Sequence, residues 1–123
     1  MKNAINWFDV PSKDFDRAIQ FYSEILGEEM RIQDFMGQKL GFFPMDQDGA
    51  VGGDLVPPME GNEPSTTGTR VYLNCDGKLD EVIERVEAAG GKIVQSKYSI
   101  GDMGDIAMIE DTEGNIVGLH SAK

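Results

Sequence analysis

Apolar positions along this chain fall into two helical stripes, and most of the remaining residues have strand-like spacing. Phe15, Ala18, Ile19, Tyr22, Ile25 and Leu26 recur every three or four residues; Ser12 or Asp14 can cap the start, and Gly27 is placed to end the helix. Leu79, Val82, Ile83, Val86 and Ala89 repeat the stripe before Gly90-Gly91 stops it, with Asp80 and Glu81 in the first turn, where the helix dipole favours them. Residues 4–10 are aromatic and β-branched and end at Pro11, which predicts a first strand. Further strands are predicted over 28–34, 37–44 and 50–56, and then over 70–75, 92–97, 104–110 and 115–120. Between them, residues 57–68 (PPMEGNEPSTTG) show no periodicity and read as a connector or a flap.

The predicted order is βαβββ, a linker, and βαβββ again. Adding 64 carries Phe15 to Leu79, Asp16 to Asp80, Ile19 to Ile83 and Gly27 to Gly91. An internal repeat of this length is too long for a solenoid unit, and two copies are too few for a propeller. The expected fold class is therefore α+β: two pseudo-symmetric βαβββ modules in one domain over residues 1–123, with module one at 1–56, the linker at 57–68 and module two at 69–123. With one helix per module, one face of each sheet lacks helical cover, and the free faces must curve around something. The turn at Gly114-Asn115 suits a tight hairpin that aims the last strand toward His120, and Asp46-Gln47-Asp48-Gly49 is its weaker copy in module one.

At 123 residues, 40% of them apolar, the chain can bury one core. It has no run of about 18 apolar residues, and its first residues lack the apolar core of a signal peptide, so it reads as a soluble, cytoplasmic protein with no membrane partner. A net charge of −11 repels phosphate backbones and anionic lipids, so nucleic acid is not an expected partner. The single cysteine, Cys75, excludes an internal disulfide and reads as a small buried hydrophobe. No phosphate-binding loop and no G-x-S-x-G are present.

Two motifs carry a resemblance. Asp16-Arg17-Ala18-Ile19-Gln20-Phe21-Tyr22 followed by Leu26-Gly27, and Asp111-Thr112-Glu113-Gly114-Asn115, resemble the D-x-x-R-A-x-x-F-Y…L-G and D-P-x-G-N patterns of the vicinal oxygen chelate superfamily. That superfamily includes glyoxalase I, bleomycin- and fosfomycin-resistance proteins, methylmalonyl-CoA epimerase and extradiol dioxygenases. The resemblance implies paired βαβββ modules whose strands form a half-open cup, usually in a homodimer, with a small-molecule or metal site in the cup.

In metal-using members, His, Gln or Glu ligands come from the first and last strand of each module. Carried onto this chain, those positions fall at or next to Trp7, at Thr69 or Val71, at Gly53 and at Gly118, and none is a usual ligand. The cofactor is thus left open, with no metal site expected at these positions. On the residues themselves, Gly53 and Gly118 would strip side chains from the pocket wall, or else bend the strands. Trp7, Phe42 and Tyr72 offer aromatic surface, and Asp9 shares the face of Trp7. His120 lies two residues beyond Gly118 and so on its face, whereas Asp54, one past Gly53, is expected to point away. The expected ligand-binding set is Trp7, Asp9, Phe42, Gly53, Tyr72, Gly118 and His120. The expected function is metal-independent small-molecule binding of the bleomycin-resistance type. The alternative is a glyoxalase- or epimerase-like lyase or isomerase with a relocated site, for which His120 and Glu110 are the catalytic candidates.

Overall fold

Helix α1 (Phe15–Leu26) has chemically defined ends in the computed structural model, which describes residues 3–45 and 50–123. Asp14 is the N-cap: its extended backbone lets its side chain accept the Arg17 N–H at 3.1 Å. Gly27 terminates the helix in the left-handed region (φ 73°), a conformation that needs no Cβ, and donates its N–H to the Ser23 carbonyl. Helix α2 (Leu79–Val86) stops one turn short of the predicted stripe, which a further turn completes as far as Gly91.

Four strands form the first sheet, whose central strand packs on α1: β1 (Trp7–Pro11), β2 (Arg31–Phe35), β3 (Gln38–Phe42) and β4 (Gly52–Val56), in the spatial order β1-β4-β3-β2. β5 (Tyr72–Asn74), β6 (Lys92–Ser99), β7 (Asp105–Glu110) and β8 (Ile116–Ser121) repeat that order as β5-β8-β7-β6. In both sheets the first strand pairs parallel with the last and the other pairs are antiparallel, so the expected α+β repeat of βαβββ is present twice. Strand ends moved where the ladder demanded it. β1 begins at Trp7 and not at residue 4, because its partner β4 begins at Gly52. The turn expected at Asp46-Gln47-Asp48-Gly49 lies outside the described residues.

The expected turn at Gly114-Asn115 joins β7 to β8. It spans Asp111 to Asn115, and of the Gly114-Asn115 pair Gly114 alone has positive φ (95°). The Asp111 carboxylate accepts the backbone N–H groups of Glu113 and Asn115, both at 2.9 Å, and closes the loop.

That loop joins the modules. The Glu113 side chain is fully buried and accepts five hydrogen bonds: from the backbone N–H groups of Lys13 and Asp14 at the start of α1, from two guanidinium nitrogens of Arg17, and from the Thr112 hydroxyl. The Tyr22 hydroxyl donates to Asp111 at 2.6 Å, and the Asn115 amide donates to the Pro11 carbonyl at 2.9 Å. The opposite end of α1 is held from module two as well, with Lys78 donating to the Leu26 carbonyl and Arg85 to the Ile25 carbonyl. One apolar cluster runs through both modules, from Val10, Phe21, Tyr22, Ile25 and Leu55 to Leu73, Val82, Val86, Ile109 and Leu119. Among the described residues no helix is long and apolar enough to cross a membrane.

Two outcomes are expected. Glu113→Ala strands the first N–H groups of α1 and lowers urea-melt stability by about 2–3 kcal/mol, whereas Arg17→Ala, which removes a half-exposed partner, costs much less. Burial alone would raise the Glu113 pKa, but hydrogen bonds from Arg17, Thr112, Asp14 and Lys13 pull it down from the usual 4.5 to about 2. A folded-state value below the unfolded one gives stability that is present above about pH 4.5 and is lost as the pH falls through 2. Melts across that window should show the loss, and Glu113→Gln should flatten it.

Candidate functional site

The alternation of β4 decides which of its residues meet the helices. Gly41 pairs with Leu55, and a Cβ at Gly41 would meet Ile19 and Phe15 of α1, so Gly41, Leu55 and, by period two, Gly53 lie on the helix face. Phe8 pairs with Gly53 and covers it. Asp54 pairs with both Asp9 and Phe42 on the opposite face, which they share with Trp7. The register thus reverses the expectation for Gly53 and Asp54: Asp54 faces the helix-free side and Gly53 does not.

On this free face, Trp7 is 45% exposed and meets the Phe42 ring edge to face, with centroids 5.7 Å apart. The Arg31 guanidinium lies over Phe42, 5.2 Å from its centroid. Asp54 sits beneath them, 3% exposed, and its Oδ1 has no hydrogen-bond partner among the described residues. Burial pushes its carboxyl up to about 7; hydrogen bonding and charge from Asp9 add to the rise, and the Trp7 side chain opposes it.

Asp9 also borders a cavity of about 290 Å³ between β1 and β8, lined further by Thr69, Val71, Asn115 and Ile116. The linker closes one side of it through Asn62, Glu63, Ser65 and Thr67. These linker residues carried no periodicity in the sequence, and their shared location was not legible there. A second, more apolar slot of about 200 Å³ is lined by Phe8, Phe43, Gly53, Val71 and Tyr72. Trp7, Asp9 and Phe42 therefore stand together, and Gly53 and Tyr72 meet in the slot.

Gly118 and His120 belong to the other sheet, where the Tyr72 ring covers Gly118. His120 Nε2 is 2.6 Å from the Met103 carbonyl oxygen, which can only accept, so that nitrogen carries the hydrogen and donates it. Glu110 does not join it. His120 pairs with Ile106 and Glu110 with Ile116, which puts the two at opposite ends of the β7–β8 ladder, about 13 Å apart at strand rise. Cys75 is buried, and burial pushes its thiol up to about 11, which keeps it protonated.

The donor set can be tested against a divalent metal. Among the described residues no three His, Cys, Asp or Glu side chains converge. Asp9 and Asp54 supply two carboxylates with neither an imidazole nor a third such donor beside them among the described residues, short of the three or four ligands such a site uses. This set does not fit the metal used by some vicinal oxygen chelate proteins.

A family model described as Glyoxalase/Bleomycin resistance protein/Dioxygenase superfamily matches residues 4–119. A glyoxylase-like domain-containing protein of Didymella fabae is 31% identical over 123 residues, covering 94% of this chain and 91% of its own length. Relatives in Mycobacterium bovis and Mycobacterium tuberculosis are 27% identical over 119 residues, and the chain spans 45% of their length. Among solved structures, a glyoxalase/bleomycin resistance protein from Albidiferax ferrireducens T118 shares the fold with a TM-score of 0.77 at 16% identity, over 98% of this chain and 100% of that one. TnmS3, an antibiotic binding protein from Streptomyces sp. CB03234, shares it with a TM-score of 0.69 at 23% identity, over 100% and 99%. With its two βαβββ modules and a family match over nearly its whole length, the chain belongs to the glyoxalase/bleomycin resistance protein/dioxygenase superfamily.

Proposed function

We propose that this chain is a small-molecule-binding protein that holds a flat, largely apolar ligand against the helix-free face of its first sheet without a divalent metal. The observation that carries this reading is the edge-to-face Trp7–Phe42 pair, part-exposed on a sheet face that no helix covers and shared with Asp9, which borders the cavity. Aromatic surface of this kind contributes large contact area at small entropic cost, and a few polar groups at its edge set orientation. The description of TnmS3 as an antibiotic binding protein supports binding as a use of this fold. The engagement of His120 with Met103, far from Glu110, gives no support to an acid–base pair between them.

We also propose a homodimer. Ile32, Phe35 and Met36 on the β2–β3 hairpin and Val94, Tyr98, Ile100 and Met103 on and after β6 are exposed apolar side chains at the outer edges of the two sheets. A second copy would cover them.

Trp7 is the chain's single tryptophan, so its fluorescence reports on the site directly. In a screen of planar aromatic compounds, binders should quench Trp7 emission and raise the melting temperature, and EDTA should leave both effects unchanged. Trp7→Ala and Phe42→Ala should each remove most of the thermal shift; binders whose shift survives both changes place the site elsewhere. Light scattering in solution should give twice the chain mass of 13.5 kDa, and a monomer at micromolar concentration would contradict the dimer.

A further inference from the structure

Asp54 is a buried acid whose position is unexplained by the fold. It belongs to β4, the central strand shared by β1 and β3, where an apolar residue would be the cheaper choice. Its Oδ1 accepts no hydrogen bond from any described residue, which is costly for a buried acceptor. A second carboxylate, Asp9, stands directly beside it on the neighbouring strand. Native folds satisfy their buried polar groups, and one left unpaired beneath the Trp7 and Phe42 rings, on a face that no helix covers, points to a partner that arrives from outside as those rings part.

The surroundings restrict what that partner is. Two adjacent acids disfavour an anionic group, and a charge of −11 draws cations toward the protein at long range. Trp7 and Phe42 flank the pair with aromatic rings, whose π-faces attract cations and stack on flat ligands. A metal is not the fitting cation, since among the described residues the pair has no third His, Cys, Asp or Glu donor beside it. We propose that Asp54, supported by Asp9, anchors a protonated nitrogen of the ligand, an amine or amidine carried on a flat ring system. This rests on the reading of the same face as the small-molecule site and specifies the ligand's charge.

The carboxyl titrates near 7 because it is buried next to Asp9, and a bound cation would stabilise the ionised form in place of the proton. Among the described residues, the charged groups that face Asp54 are Asp9 from β1 and Arg31 from β2, which lies over Phe42; β3 places Phe42 opposite Asp54. Cation binding should therefore strengthen as the pH rises through 7 and release a proton below it.

Benzamidine and its neutral isostere benzamide test this, with Trp7 fluorescence and titration calorimetry on the whole chain. Benzamidine should bind at least about tenfold tighter than benzamide at pH 8, and about tenfold tighter at pH 8 than at pH 6 for a group titrating at 7. Asp54→Asn should bring benzamidine down to the benzamide level. It should also fold well, because it removes a charge that the folded state disfavours, so its melting temperature at pH 8 should equal or exceed that of the parent. Trp7→Ala should weaken both probes. Equal binding of the two probes, or unchanged benzamidine binding by Asp54→Asn, overturns the anchor and leaves the aromatic site standing. If Trp7-dependent planar compounds bind but benzamidine does not, the anchor alone falls; if no planar compound binds, the site falls with it.

Discussion

The Glu113 carboxylate at the N-terminus of α1 is the contact on which the arrangement of the two modules depends. It brings a negative charge to the positive end of the helix dipole and takes up two N–H groups that the helix cannot satisfy. At the other end of the same helix, Lys78 and Arg85 bring positive charge to its last carbonyls. Module two thus supplies both ends of module one's helix with groups of the sign that its dipole favours. The two sequence motifs that mark the superfamily are the two halves of this network: Arg17 and Tyr22 from the first meet Glu113 and Asp111 from the second.

Because these bonds and one shared apolar cluster consume the helix faces of both sheets, the helix-free faces are left for other use. The contrast between two acids shows how the same chemistry is put to different ends. Glu113 is buried with five donors and titrates near 2; Asp54 is buried with an unpaired oxygen beside another acid and titrates near 7. The first environment favours a permanent charge and a fixed join. The second leaves a carboxyl that gains by meeting a donor from outside, and it does so under two aromatic rings.

Much of the fold was legible in the chain. Helical stripes, the Gly27 stop and the offset of 64 residues are local or periodic signals, and they led to both helices and to eight strands in the order βαβββ twice. Boundaries were less so, since β1 is as long as its partner β4 allows. In the β7–β8 turn the Asp111 side chain adds two hydrogen bonds from backbone N–H groups, which the Gly114-Asn115 signal alone did not show.

The candidate site was legible in part. Trp7, Asp9 and Phe42 could be placed on one surface from alternation and aromatic content, and those residues do share it with each other. Asp54 could not, because period-two reasoning shows that neighbours on a strand face opposite ways without showing which one faces the helix. The linker wall of the cavity and the separation of His120 from Glu110 were equally hidden, since both depend on which strands lie side by side. The sequence by itself determined the elements, their repetition and the family, because hydrophobic period and turn chemistry act within a few residues. The tertiary structure decided which face each acid meets, because burial and partners come from strands tens of residues away.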